Sequence, residues 1–147
     1  MLPQGLTIRP MAAEDYDAVV DLWRIGDLPF RPTGRDSREE IERQLTEPSS
    51  VYLVATAGPA VVGAVLGTHD GRKGWINRVA VHPKWRGIGV AVALVEEVER
   101  RFRSYGIGVY AALIEKHSSA SRSTFLKMGY RRLDHIQYFA KKVRDDM

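Results

Sequence analysis

Cysteine is absent from this chain of 147 residues. That excludes disulfides, thiolate metal sites and a cysteine nucleophile, and it leaves the redox compartment open. No serine sits in a Gly-x-Ser-x-Gly turn either, so a covalent acyl-enzyme has no evident nucleophile. No apolar run reaches the roughly 18 residues that suggest a membrane span. The opening Met1–Pro10 lacks the basic segment and apolar core of an export signal. The expectation is a cytoplasmic protein with no membrane partner and no metal. Internal repeats, low-complexity tracts and long linkers are missing too, so residues 1–147 read as one domain.

What is present is ordinary for a soluble globular chain: 44% hydrophobic and 27% charged residues. Lys and Arg number 22 against 18 Asp and Glu, for a net charge of +4. Nucleic-acid binding needs that charge gathered on one face. Here it is scattered, with modest excesses at Arg100–Arg103 and Lys141–Arg144. A basic enzyme that binds a polyanionic cofactor explains the charge equally well, and no nucleic-acid partner is expected.

Strand and helix patterns alternate along the chain, which predicts an α/β or α+β layer fold. Leu6–Arg9 reads as a first strand. Tyr16, Val19, Val20 and Trp23 form an apolar helical stripe within Glu14–Ile25. Asp27–Arg35 holds Pro29, Pro32 and Gly34 and reads as a loop. Ser37 and Glu40 match a capping box that opens a second helix. Val51–Ala57 and Ala60–His69 are strand runs joined by Gly58-Pro59, a hairpin signal. Trp75–Val81 is a further strand, then Gly89–Ser104 a helix closed by Gly106. The wholly apolar Val109–Ile114 suits a central strand buried on both faces. Ser118–Met128 reads as a last helix, capped by Ser118 or Ser119. Arg131–Leu133 and Ile136–Lys141 read as a closing strand pair.

The segment with the most chemistry is Arg86-Gly87-Ile88-Gly89-Val90-Ala91, placed between a strand and a helix. The first N–H groups of a helix have no internal partners and carry the positive end of its dipole. Glycines let backbone approach a diphosphate closely, and Arg86 adds a cation. Acidic residues usually favour a first turn, yet the first carboxylate here is Glu96. An external anion accounts for that gap; simple burial of the turn is the alternative. Neither a P-loop nor a dinucleotide fingerprint fits, since the Lys-Ser/Thr pair and the third glycine are missing.

Arg86-x-x-Gly89-x-Ala91 follows Val79-Ala80-Val81-His82-Pro83 and leads into a long amphipathic helix. This resembles the acetyl-CoA motif of the GNAT superfamily of N-acetyltransferases. Ile8-Arg9-Pro10 is similar to that family's first strand, and Ser118–Tyr130 to its late helical segment. The resemblance implies a mixed, mostly antiparallel sheet of six or seven strands flanked by about four helices. Trp75–Val81 and Val109–Ile114 would be a splayed central parallel pair. It implies acetyl-CoA as cosubstrate, with the pantetheine arm on the backbone of Val79 and Val81. The pyrophosphate would lie on amides of Arg86, Gly87, Ile88, Gly89, Val90 and Ala91. A backbone N–H of Val79 or Ala80 would hold the thioester oxygen. Ser118 and Phe125 would touch the cofactor.

Acetyl transfer to an amine also needs a base. Many family members carry a carboxylate where this chain has Asn77 and Arg78, neither of which is a base. Glu115 is the leading candidate, ahead of His117 and His69, with Asn77 able to orient a water or the substrate. The family often places a tyrosine acid where Phe125 stands; Tyr130 and Tyr138 are the available phenols. Thiolate departure needs no acid in principle, because a thiol pKa is about 8.5. Trp23, Phe30 and Arg31 are the candidates to line the acceptor site. The acceptor expected is a primary amine of a small molecule or peptide, and a homodimer is left open. A CoA-binding module without turnover is the competing reading, supported by Asn77, Arg78 and Phe125; a nucleic-acid-binding domain is the third.

Overall fold

Two long strands form the centre of the molecule. A computed structural model describes residues 2–147. In it β2 (Ser50–Ala57) and β3 (Ala60–His69) pair antiparallel around Gly58-Pro59. Gly58 sits at φ 58°, the left-handed value that the first position of a tight hairpin turn requires. Side chains alternate along β2: Val51, Leu53 and Ala55 belong to one core cluster, Tyr52 and Val54 to the other. A strand covered on both faces reads as a near-continuous apolar run, as Val51–Ala55 does.

Outward from this pair, β1 (Leu6–Pro10) joins β2 and β4 (Gly74–Val81) joins β3, both antiparallel. β5 (Tyr110–Ala112) adds parallel to β4, completing a five-stranded mixed sheet in the order β1-β2-β3-β4-β5. Four α-helices flank it: α1 (Tyr16–Ile25), α2 (Arg38–Leu45), α3 (Val90–Ser104) and α4 (Ser119–Lys127). The α3 stripe Leu94, Val95, Val98 and Phe102 is 0% exposed against one sheet face. Burying each of those side chains contributes about 1.5–3 kcal/mol. Gly74 makes this approach feasible, because a Cβ there would collide with the Phe102 ring. On the opposite face α1 and α2 bury Val19, Trp23 and Ile41. As the capping box predicts, Ser37 Oγ accepts from the Glu40 N–H at 3.2 Å.

Three expectations change. The sheet has five strands rather than six or seven. Arg131–Leu133 and Ile136–Lys141 form no strands; the chain from Arg131 onward is irregular and exposed. Strand propensity is realised only where a neighbour covers the side chains. Here Leu133, Ile136, Tyr138 and Phe139 stay more than half exposed, and Arg132 pairs locally with Asp134. This tail returns to the α1–α2 loop, where a Cβ on Gly34 would collide with the Asp146 carbonyl. With no closing strands, β5 is an edge strand of half-buried residues rather than a central one. Val109 and Leu113, at its two ends, are about half exposed.

Candidate active site

After β4 the chain makes one turn of 3-10 helix at Pro83–Trp85 and then enters the glycine-rich segment. Arg86 is extended, and its Nε donates to the Val81 carbonyl at 2.9 Å. That bond fixes the guanidinium beside the segment while the residue stays exposed. Gly87 and Gly89 lie at φ 78° and 94°, where a side chain is strained. A Cβ at either would meet nothing within 4 Å, so the space above them is open. Gly89 is the N-cap of α3. Among the described residues, no internal acceptor takes the N–H groups of Gly87, Ile88, Gly89, Val90, Ala91 or Val92. The first turn of α3 holds no acidic residue. Free N–H donors, a helix dipole, a cation and no competing carboxylate suit a diphosphate. Val90 itself is buried at 1% exposure, so its side chain serves the core and only its backbone is available.

A cleft of about 440 Å³ opens where β4 and β5 part. Their pairing covers Gly74 to Ile76 opposite Tyr110 to Ala112 and goes no further. The opposite edge of β4 is irregular at the same level. Leu66 faces Asn77 and Ala64 faces Ala80, so Arg78 and Val79 together stand opposite the single residue Val65. This bulge leaves Arg78 and Val79 without a partner residue on either neighbouring strand. It also reverses which face the side chains meet. Ile76 packs in the α3 core, whereas the Arg78 guanidinium lies 4.8 Å above the Trp23 ring of α1. Arg78 adopts φ 53°, a left-handed value costing a non-glycine residue about 1–2 kcal/mol.

Asp36 meets Arg78 in the cleft wall. The two form a bidentate ion pair at 2.5 and 2.8 Å, with side chains 4% and 13% exposed respectively. Asp36 Oδ2 also accepts from the Arg31 N–H at 2.5 Å, and Tyr16 Oη donates to the Asp36 carbonyl at 2.6 Å. The loop between α1 and α2 is thereby tied to the bulge of β4.

Of the expected catalytic and cofactor residues, the cleft brings together Asn77, Val79, Glu115, Ser118 and Phe125. Glu115 is exposed at its rim and Asn77 half-buried. Ser118 occupies the N-cap position of α4, yet its side chain makes no cap bond. Phe125 is 5% exposed and packs edge-on against Tyr130 at 4.9 Å. Tyr138 reaches the wall from the tail. Tyr130 does not reach it: its hydroxyl donates to Glu99 Oε2 at 2.7 Å on the α3 side. Burial, reinforced by that carboxylate, pushes its phenol pKa up. His69 is absent from the lining, with Nδ1 accepting from Gly71 N–H and its ring beside Phe102 and Tyr105. His117 is exposed and off the wall.

The residues expected on the acceptor side lie elsewhere than on the cleft wall. Trp23, Phe30 and Arg31 do not line the cleft. Trp23 is fully buried beneath Arg78, and Phe30 packs on it at 6.0 Å. Their neighbours Leu28, Pro29, Arg35 and Asp36 line the cleft instead, with Gln44 and Tyr52. The apolar stripe of α1 could have assigned Trp23 to the core, and alternation along β2 could have set Tyr52 opposite Val51 and Leu53. Nothing in the sequence marks Asp36. Tyr52 Oη donates to Gln44 Oε1 at 2.7 Å, and burial raises its pKa, so it stays a neutral donor.

The sequence pattern of the acetyltransferase (GNAT) family matches residues 16–130, which span both the glycine segment and the cleft. The chain belongs to the GNAT acetyltransferase family. It is 30% identical to acetyltransferase SG1711 of Sodalis glossinidius (strain morsitans), over 96% of this chain and 98% of that one. Its fold is similar to that of PaiA N-acetyltransferase from Thermoplasma acidophilum in complex with coenzyme A. That match has a TM-score of 0.76, 16% identity, and coverage of 88% of this chain and 91% of the other. It is also similar to meta-AAC0020, an aminoglycoside acetyltransferase from an uncultured soil metagenomic sample. There the TM-score is 0.80 at 14% identity, covering 98% of this chain and all of the other. As a GNAT enzyme the chain uses acetyl-CoA as its acyl donor. Among the described residues, no helix is long and apolar enough to cross a membrane.

Proposed function

We propose that residues 1–147 work as one N-acetyltransferase domain, with the diphosphate of acetyl-CoA at Arg86–Ala91 and the acyl group in the cleft between β4 and β5. The observation that carries this reading is the open start of α3, with its unsatisfied N–H groups, beside a strand whose Arg78 and Val79 have no one-to-one register partner on either neighbouring strand.

In this reading the Val79 N–H points to the thioester oxygen and holds the charge that builds on it during attack. Val81 and Ala80 border the pantetheine path, and Ser118 offers its uncommitted hydroxyl there. Phe125 closes the cleft against water by packing alone. A lysine-type amine has a pKa of about 10.4 and is protonated at neutral pH, so it must lose a proton before it attacks. Glu115 takes that proton, directly or through a water held by Asn77. The amine nitrogen bonds to the carbonyl carbon, the carbon–sulfur bond breaks, and CoA leaves as thiolate.

The acceptor is a small molecule or peptide presenting one primary amine. Two carboxylates line the cleft, and Arg78 neutralises Asp36, leaving Glu115 for a cationic acceptor. A polyamine would find few partners on such a wall. The test is thiol release from acetyl-CoA against a panel of monoamines, peptides with free N-termini and polyamines. Release with a monoamine or peptide supports the proposal. CoA binding with no release on any acceptor favours a binding module instead.

A further inference from the structure

The Asp36–Arg78 pair is the most deeply buried ion pair among the described residues, yet it joins a loop to a backbone bulge. Three observations converge on it. Arg78 holds a left-handed backbone that glycine or asparagine adopts more readily. The bulge it creates leaves Val79 without a one-to-one register partner on either neighbouring strand. The guanidinium is clamped from two sides, by both Asp36 oxygens and by the Trp23 ring. Asp36 is held in turn by the Arg31 N–H and, through its own carbonyl, by Tyr16. A strained residue persists only where its surroundings over-determine it, and here they do.

We infer that Asp36 is a positioning residue for acyl transfer: by locking Arg78 it holds the bulge that presents the Val79 N–H to the thioester oxygen. The inference rests on the reading above, in which that N–H is the oxygen donor. It assigns the α1–α2 loop a second task. A loop on the acceptor side of the cleft also sets the geometry of the acyl-donor side.

The difference in affinity between acetyl-CoA and CoA reads the oxygen-binding N–H without any acceptor. A hydrogen bond to that oxygen makes acetyl-CoA the tighter ligand by about threefold to tenfold. Calorimetric Kd values for both ligands are compared in wild type, D36N/R78G and D36N/R78A. Both double variants remove the ion pair without orphaning a charge, but only glycine keeps the left-handed backbone without strain. The expected result is a ratio within about twofold of wild type in the glycine variant and near one in the alanine variant. Equal retention in both overturns the inference, because the bulge then needs no lock. Equal loss also overturns it, because the pair then acts by another route. If the alanine variant does not fold, D36N/R78Q replaces it, since glutamine keeps side-chain packing but is strained at a left-handed φ; a lost ratio then supports the inference and a retained one overturns it. A wild type that binds both ligands equally and releases no thiol removes the functional reading, and the inference with it.

Discussion

Ala91→Glu separates the two jobs of the α3 start, because helix stability and cofactor affinity should move in opposite directions. Ala91 is half-buried in a first turn that carries no acidic residue. A carboxylate there meets the positive end of the helix dipole and stabilises the fold by about 0.3–1 kcal/mol. For a protein of this size that raises Tm by about 1–3 °C. In the proposed placement the same carboxylate faces the diphosphate. Taking about 6 Å to roughly two negative charges at an effective dielectric of about 40–80, the repulsion is about 1.4–2.8 kcal/mol. That is about a tenfold to hundredfold loss of affinity. Ala91→Gln has nearly the same shape without the charge, so the Glu-to-Gln ratio of CoA Kd isolates the electrostatic part. Calorimetric titration at low and high salt measures it, and the gap should narrow as salt rises. Equal Kd for the Glu and Gln variants at low salt would refute the placement of the diphosphate on this helix.

Three further outcomes follow from the geometry. Glu115→Gln should lower amine-dependent thiol release by about a hundredfold while CoA affinity stays within about twofold; unaltered release removes Glu115 as the base. Tyr130→Phe takes the hydrogen-bond partner from Glu99 and should destabilise the fold by about 1–3 kcal/mol in urea titration. It should leave turnover unchanged, since Tyr130 lies outside the cleft; a collapse of turnover would return it as a candidate acid. Asp15 accepts from Arg9 at 2.7 and 2.9 Å and from the Ala12 N–H at 2.8 Å, and these bonds, the Arg9 one foremost, hold its pKa below the usual carboxylate value. Because the folded state binds the proton more weakly, the stabilisation is present above the unfolded pKa of about 3.9. It is lost as pH falls through the lowered folded value. The stability gap between wild type and Asp15→Asn should therefore close in strong acid, and a gap constant from neutral pH downward contradicts this.

How far each residue was legible depended on how local its cause was. The α3 start was readable because strand, glycines and apolar stripe are neighbours in sequence. The Ser37 N-cap and the Gly58 turn were readable for the same reason, although Glu40 pairs with Arg43 rather than closing the capping box. The tail was not. Leu133 and Ile136–Phe139 have the composition of strands, but a strand also needs an edge to pair with and a layer to cover it. Trp23 and Phe30 stand in and before the Pro-rich loop that the family resemblance sets on the acceptor side, whereas the packing of α1 on the sheet puts Trp23 beneath Arg78 and Phe30 against Trp23.

The sequence by itself determined the family, the central hairpin, the α3 stripe and the open glycine turn that starts α3, because each follows from contacts within a few residues. Only the tertiary structure decided where the cleft opens, which loop residues line it, and that Asp36 meets Arg78 across 42 positions of chain. The physical reason is the bulge in β4. One extra residue in a strand turns every later side chain to the other face. Whether it forms depends on its register with β3 and on a carboxylate from a distant loop, and no local pattern records either.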